Sequence, residues 1–246
     1  MENHFSLAGK TLLVTGASSG IGKAIAIACS LVGAHVILNG RNSLRLQNAL
    51  QALSGDGHKV IQADLVDNEQ RKFLVDSLPQ LNGVVHCAGI GSRVLCKMLE
   101  LDDVQHVMEV NFNAPVLLQA ELLREKKIAK EASIVFIASA AATMPSVGNA
   151  IYSASKAATI AYAKCLAQEL APRKIRVNCI SPAMVWTDLA LVGATEEQLR
   201  EAEQAYPLKR YAQPEDIAPM AVYLMSDEAA WVTGSNMELT GGTQTL

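Results

Sequence analysis

Short apolar runs alternate along the chain with longer stretches in which apolar residues recur every three or four positions. Lys10–Thr15, His35–Leu38, Lys59–Ala63, Gly83–His86, Ser133–Ala138, Arg176–Ile180 and Asn236–Leu239 are brief, rich in branched residues and bounded by turn formers, as buried strands are. Between them lie helical patterns: one through Ile25, Ala28 and Val32, then Ser43–Leu53, Asn68–Ser77, a long region Asp103–Lys127, Ser153–Ala171, and a Pro214-started helix reaching Leu224. Strands and helices in strict alternation build right-handed βαβ units. The pattern predicts an α/β fold: a doubly wound, mostly parallel sheet of about seven strands with helices on both faces. It weakens once. From Thr187 to about Tyr211 only a short amphipathic helix, Glu196–Ala205, is legible, which reads as a mobile insert within a single domain over residues 1–246.

Composition narrows the class. At 246 residues the chain can bury one substantial core. Half of it is hydrophobic, 18% is charged and the mean hydropathy is +0.19, which excludes a disordered or fibrous chain. A net charge of −3 and a pI near 6.0 leave no basic stripe for nucleic acid and no like-charge block for a membrane surface. Met1–Lys10 lacks the apolar run of a signal peptide. Ala132–Ser155 carries no charge, yet its serines, Thr143, Asn149 and Pro145 suit a buried strand and loop better than a membrane span. The five cysteines (29, 87, 96, 165 and 179) are odd in number and never spaced Cys-x2-Cys, so they read as small buried hydrophobes in a reducing compartment. A soluble cytoplasmic protein is expected, with no metal, nucleic acid or membrane partner.

Candidate chemistry sits where the strands end. After the first strand comes Thr15-Gly-Ala-Ser-Ser-Gly-Ile-Gly22, followed by a helix, the strand–turn–helix context of a dinucleotide (Rossmann-type) site. Gly16 permits the tight turn, Gly20 lets backbone N–H groups approach a pyrophosphate, and Gly22 allows helix and strand to pack closely; the alternative is a βα turn and nothing more. The second strand ends without the acidic residue that an NAD site places against the ribose 2′-hydroxyl. Arg41 stands in the next turn instead. A guanidinium there either binds a 2′-phosphate, which favours NADP(H) over NAD(H), or is simply solvated. Ser139 ends the fifth strand, Tyr152 follows thirteen residues later, and Lys156 four after that. On a helix that spacing places Tyr152 and Lys156 on one face, where an ammonium lowers a phenol's pKa and makes it a usable acid or base. With five Tyr and twelve Lys, one Tyr-x3-Lys arises by chance in roughly one such chain in four, so the pair counts only in its setting.

The ordered set Thr15-Gly16-x3-Gly20-x-Gly22, Asp64, Ala88-Gly89, Asn111, Ser139, Tyr152-x3-Lys156, Asn178, Pro182 and Thr187 resembles the short-chain dehydrogenase/reductase family in its single-domain form, over nearly the whole chain. The resemblance implies reversible hydride transfer between nicotinamide and a carbonyl or secondary alcohol. It makes Tyr152 the proton donor, Ser139 the group that polarises the carbonyl oxygen, Lys156 the residue that lowers the tyrosine pKa and holds the ribose, and Asn111 the anchor of a water leading to Lys156. It also implies cofactor contacts from Gly16, Ser18, Ser19, Gly20, Ile21, Gly22, Arg41, Asn42, Asp64, Leu65, Ala88, Gly89, Tyr152, Lys156, Pro182, Val185 and Thr187. The nearest general likeness is to 3-oxoacyl-[acyl-carrier-protein] reductases, with polyol, sugar and steroid dehydrogenases and a non-catalytic NADP-binding sensor as alternatives. An enoyl reductase of this superfamily has a wider Tyr–Lys spacing. A carrier-protein partner would want a basic patch, for which Lys126, Lys127, Lys130 and Arg173 are the candidates. Family members commonly pair through the helix after Ser139, and Ala157, Ala158, Ala161 and Ala163 there allow close approach, so a homo-oligomer, specifically a tetramer, is expected.

Three positions depart from the family pattern. His86-Cys87 precedes Ala88-Gly89 where Asn-Asn is usual, and the imidazole is either catalytic or fills an asparagine's structural place. Ala183 follows Pro182 where glycine is usual, and Thr240 precedes Gly241-Gly242 where aspartate is usual. Other readings stay open: Asn111 as a cap or kink in its helix, Asp64 as a cap for the next turn, Arg93 as a solvated arginine or a contact to an anionic substrate, and Met144, Met184, Trp186 and Leu189 as substrate wall or core.

Overall fold

The computed structural model describes residues 4–243. Its elements in chain order are β1 (Thr11–Val14), α1 (Gly20–Leu31), β2 (His35–Gly40), α2 (Ser43–Leu50), β3 (Lys59–Gln62), α3 (Asn68–Ser77), β4 (Leu81–His86), α4 (Leu101–Met108), α5 (Ala114–Arg124), β5 (Ile128–Ile137), α6 (Ala150–Leu170), β6 (Arg176–Pro182), α7 (Glu196–Glu203), α8 (Pro214–Met225) and β7 (Asn236–Leu239). The seven strands lie in the order β3-β2-β1-β4-β5-β6-β7 and every pairing is parallel. The order reverses between β1 and β4, the point at which an open parallel sheet binds ligands beyond its strand ends.

Strand periodicity explains why the runs are apolar throughout. In β1, Leu12 and Val14 face one layer and Leu13 the other, all fully buried. The first layer packs Ala24, Ile25 and Cys29 of α1 and Ile217 and Ala221 of α8 against Val36, Leu38 and Ile180. The second packs Leu74 of α3, Leu118 and Leu122 of α5, and Ala163 and Leu166 of α6 against Val84, Ile134 and Phe136. A third, small cluster of Leu199, Tyr206 and Tyr211 lies under residues 187–211. There α7 carries a complete capping box, Thr195 with Gln198, and the Trp186 Nε1 donates to Glu203 at 3.0 Å. Ala163, expected on an open helix face, is 2% exposed and belongs to the core.

Two elements and two of the cysteines differ from the sequence reading. The long helix breaks into α4 and α5 around a π-helical turn, Glu109–Asn113. β5 starts at Ile128 rather than Ser133, because the ladder to β4 continues past an irregularity at which Glu131 takes φ +65°. Cys96 and Cys165 are exposed, whereas Cys29 and Cys179 are buried. Among the described residues no helix is long and apolar enough to cross a membrane, and none of the described His, Cys, Asp and Glu residues cluster in threes able to hold a metal.

Candidate active site

Because all strands run one way, their carboxyl ends share an edge, and a cleft of about 1280 Å³ opens along it. That exceeds the roughly 300–1,000 Å³ of a single-ligand pocket and leaves room for two molecules end to end.

One end is a glycine cradle. Gly16 takes φ +64°, and a Cβ there would lie 2.8 Å from the Ala88 nitrogen. A Cβ on Gly22 would fall 2.4 Å from the Gly16 carbonyl oxygen. The turns after β1 and β4 are thus pressed together, and the Thr15 hydroxyl stitches them by accepting from the Cys87 and Ala88 amides at 3.0 and 3.2 Å. Helix α1 begins at Gly20 behind Ser19, whose side chain makes no capping bond, and no acidic residue occupies its first turn. Its first amides therefore have neither a side-chain cap nor a carboxylate neighbour, and its positive end faces the cleft, as an anion site requires. Ser18, Ser19 and Ile21 line the same wall.

Beyond the cradle, Arg41 is exposed at the end of β2, and its guanidinium has no partner among the described residues. Asn42 is already engaged: its Oδ1 caps α2 by accepting from the Arg45 amide at 2.9 Å. Asp64 does cap a turn, accepting from the Val66 amide at 3.1 Å, while still lining the cleft beside Leu65. Across the mouth Arg45 Nη1 lies 3.1 Å from Asp188, an exposed strap that contributes little stability. Sequence reasoning missed this pair; only the position of Arg45 three residues after its cap hints at it.

The other end holds Ser139, Tyr152 and Lys156. Ser139 lies two residues past the end of β5, with its Oγ accepting from the Ala141 amide at 3.1 Å. Tyr152 stands in the first turn of α6, which begins at Ala150, earlier than the pattern suggested. Lys156, one turn on, donates from Nζ to the Ile137 carbonyl at 2.9 Å and lies 5.8 Å from the centre of the Tyr152 ring. The expected depression of the phenol pKa is not found. Burial raises Tyr152 above its usual value, and a hydrogen bond to Ser139 only partly offsets this. The same burial lowers Lys156 to about 8. Spacing on a helix set the separation correctly, but desolvation acts on both groups and outweighs their attraction.

Asn111 lies beneath this trio, not in the cleft wall. From the π-helical turn its Oδ1 accepts from the Ile90 amide at 2.8 Å, and its Nδ2 donates to the Ile90 carbonyl and the Ser155 hydroxyl at 3.0 and 3.2 Å. Both amide protons are thereby engaged in clamping the loop after β4 onto α6. Gly89 covers the spot: a Cβ there would be 3.2 Å from Asn111 Oδ1 and 3.4 Å from Lys156 Nζ. Ala88, Pro182, Val185 and Thr187 complete this end, with the Thr187 hydroxyl donating to the Val185 carbonyl at 3.3 Å. Met184 and Leu189 line the cleft, whereas Trp186 stacks under Arg200 and beside Tyr211.

Residues 16–244 match the family model described as Enoyl-(Acyl carrier protein) reductase. The 3-oxoacyl-[acyl-carrier-protein] reductase of Rickettsia felis is 35% identical over 237 residues, 96% of this chain and 97% of that protein. The chain belongs to the short-chain dehydrogenase/reductase family. It is, with that family, an oxidoreductase. The L-xylulose reductase of Caenorhabditis elegans is 31% identical over 249 residues, 98% of each chain. A crystal structure of a putative NAD(P) dependent gluconate 5-dehydrogenase from Beutenbergia cavernae, with bound NADP at low occupancy, superposes with a TM-score of 0.87 at 34% identity, covering 97% of this chain and 98% of that one.

Within this short-chain dehydrogenase/reductase, His86 is not part of the cleft. It is 3% exposed, stacked on Phe136 at 4.5 Å, with Nε2 paired to Gln119 Oε1 at 3.0 Å. Burial lowers its pKa from 6.5 to about 4. The unfolded chain therefore takes up this proton first as pH falls, so stability present above pH 6.5 is lost between pH 6.5 and 4, by up to about 3 kcal/mol. Thermal melts at steps from pH 7 to pH 4.5 check this: His86→Asn should lose less stability over that range than the parent, and an equal loss in both removes His86 as the cause.

Proposed function

We propose that the chain is an NADP(H)-dependent reductase of small carbonyl compounds, with Ser139, Tyr152 and Lys156 as its catalytic residues. One observation carries the reading: a half-buried phenol, with Ser139 and the Lys156 ammonium beside it, stands at one end of a cleft whose other end is a helix-terminus glycine cradle. Gly16, Ser18, Ser19, Gly20, Ile21 and Gly22 would hold a dinucleotide pyrophosphate, Asp64 and Leu65 the adenine, and Ala88, Gly89, Pro182, Val185 and Thr187 the nicotinamide end. When bound, the nicotinamide supplies or accepts the hydride. Tyr152, a phenol that is protonated at neutral pH, gives its proton to the carbonyl oxygen. Ser139 donates a hydrogen bond to the same oxygen as its charge develops. Lys156 supplies positive charge behind the phenol, and Asn111 positions α6 through Ser155 rather than touching the reacting atoms.

Arg41, unpaired at the end of β2 and followed by no carboxylate, favours a 2′-phosphate. Arg41→Ala is expected to lower the NADPH-over-NADH ratio of kcat/KM by about 10- to 100-fold, the loss of a charge-assisted hydrogen-bond pair. A preference unchanged by the substitution removes Arg41 from the phosphate site.

A 3-oxoacyl thioester on a carrier protein is the second reading, favoured by the name of the Rickettsia felis relative. Against it, Lys126, Lys127 and Lys130 gather at the amino end of β5 (Arg173 donates to the Ile128 carbonyl there), on the edge away from the cleft. The four-residue Tyr–Lys spacing speaks against enoyl reduction. The deciding assay follows NADPH absorbance with purified protein and a panel of diketones, ketoses, oxo acids and 3-oxoacyl thioesters. Turnover of none of them, with NADPH still bound, overturns the enzymatic reading. The exposed row Ala154, Ala157 and Ala161 on α6 supports a homo-oligomer paired through that helix; a monomer by light scattering refutes it.

A further inference from the structure

The cleft contains more charge than the hydride step uses. Its charged lining residues are Arg41, Arg45, Asp64, Arg93, Lys156 and Asp188. Asp188 is paired with Arg45, and Asp64 caps its own turn at the far end by β3. Lys156 is bound to the Ile137 carbonyl. Arg93 remains. It follows the turn after β4, and no hydrogen bond or ion pair to its guanidinium is found among the described residues.

The stem of Arg93 is held where its head cannot be. Its Cγ would lie 3.3 Å from a Cβ on Gly148, and its Cδ 3.1 Å from a Cβ on Gly193. Both glycines take positive φ, +83° and +76°, so each position presents a notch to the arginine and resists a side chain. The Val94 amide donates to the Gly148 carbonyl at 2.9 Å, fixing the arginine's own backbone to the loop that leads into Tyr152. Leu189 closes over Gly91, where a Cβ would meet it at 3.2 Å. The buried phenol of Tyr211, which also lines the cleft, feels the Arg93 charge. Arg93 is exposed, but its methylenes rest against two glycines, and it lines the cleft between the loop that leads into Tyr152 and residues 187–211, at the substrate end.

We propose that Arg93 is the specificity-determining residue of that end, pairing through its guanidinium fork with a carboxylate borne by the ketone, so that the substrate class is the small oxo-carboxylic acids. This rests on the reductase reading above. A single fork matches one carboxylate in two parallel hydrogen bonds. A terminal phosphate would call for a second cation, and none of the other lining cations is at this end and unengaged. The pairing spares the carbonyl, which remains for Ser139 and Tyr152, and it fixes the orientation of the carbonyl face toward the phenol.

The test uses the full chain with NADPH and a series of oxo acids, from acetoacetate to 5-oxohexanoate, each beside its methyl ester. Esterification removes the charge and keeps the ketone. The parent protein is expected to prefer the acid at one chain length, and Arg93→Ala to lower that acid-to-ester ratio of kcat/KM by about 10- to 100-fold, chiefly through KM of the acid. Arg93→Lys should restore part of it, since charge survives but the fork does not. Raising the ionic strength should erode the ratio in the parent and not in Arg93→Ala. If the parent reduces esters or 3-oxoacyl thioesters as well as the acids, or if Arg93→Ala keeps the parent's ratio, the carboxylate site is overturned while the reductase reading stands. If no carbonyl compound is reduced, both fall together.

Discussion

Tyr152→Phe is expected to cut carbonyl reduction by about 10²- to 10⁴-fold, the range over which a positioned proton donor acts, while NADPH binds as before. The substitution removes one oxygen from a ring that is otherwise retained, and the α6 backbone around it is fixed independently. Ser155 donates to the Tyr152 carbonyl at 2.7 Å and is itself held by Asn111. The loss should therefore appear in kcat at saturating NADPH, with cofactor affinity by fluorescence titration unchanged. Burial gives the prediction its direction. A phenol raised above its ordinary value stays protonated at neutral pH, so the donor form needed for reduction is present there, whereas alcohol oxidation needs the phenolate and gains only as pH climbs. Ser139 is a second hydroxyl at this end, and its Oγ already accepts from the Ala141 amide. If Tyr152→Phe turns over at the parent's rate, proton delivery comes from elsewhere and the assignment of all three residues fails.

Much of this site was legible because βαβ topology sends every strand end to one edge, so residues such as Gly16, Ser139 and Pro182 converge without any knowledge of packing. The bounds of α3 and β7 follow from the sequence pattern alone, since Asp67 caps α3 through the Gln70 amide and β7 is a short alternation of polar and apolar residues, Asn-Met-Glu-Leu, between turns. What was not legible depends on things a linear pattern does not carry. The apolar rhythm of residues 101–124 is continuous, yet one turn widens to a π-helix, and that turn carries Asn111 to the β4 loop. Lys130 and Glu131 interrupt the apolar run of β5, and only the partner strand keeps Ile128 in register, opposite Leu81. Asn178, a mark of the family, uses its amide structurally, donating to the Val232 carbonyl at 2.9 Å and accepting from Ser235 at 3.1 Å. The Tyr152–Lys156 relation is the sharpest case. A spacing of four specifies a distance, whereas the sign of the pKa shift is decided by solvent, which the whole fold excludes.

The cradle makes the second large prediction, and it concerns Gly22 rather than the two glycines with positive φ. Gly22 has an ordinary backbone conformation, so Gly22→Ala carries no conformational penalty and its effect is purely steric. The new methyl would sit 2.4 Å from the Gly16 carbonyl oxygen and 2.8 Å from its carbon. Both are backbone atoms of the turn that would face the cofactor, and no rotamer change relieves the contact. Either the turn opens or α1 moves away from β1, at an overpacking cost of about 1–3 kcal/mol. A methyl on Gly40, in the same wall, is the control: its nearest neighbours are a Leu46 methyl at 3.4 Å and the Ser18 hydroxyl at 3.5 Å, side-chain ends that can move. Urea denaturation should therefore show a lower midpoint for Gly22→Ala with an unchanged slope, and a loss for Gly40→Ala of under about 1 kcal/mol. If the turn relaxes in the free protein, it must be forced back to bind a pyrophosphate, and the NADPH Kd should rise by roughly 10- to 100-fold. Unaltered stability together with unaltered affinity would mean that helix and turn are not in the contact that makes this a phosphate cradle.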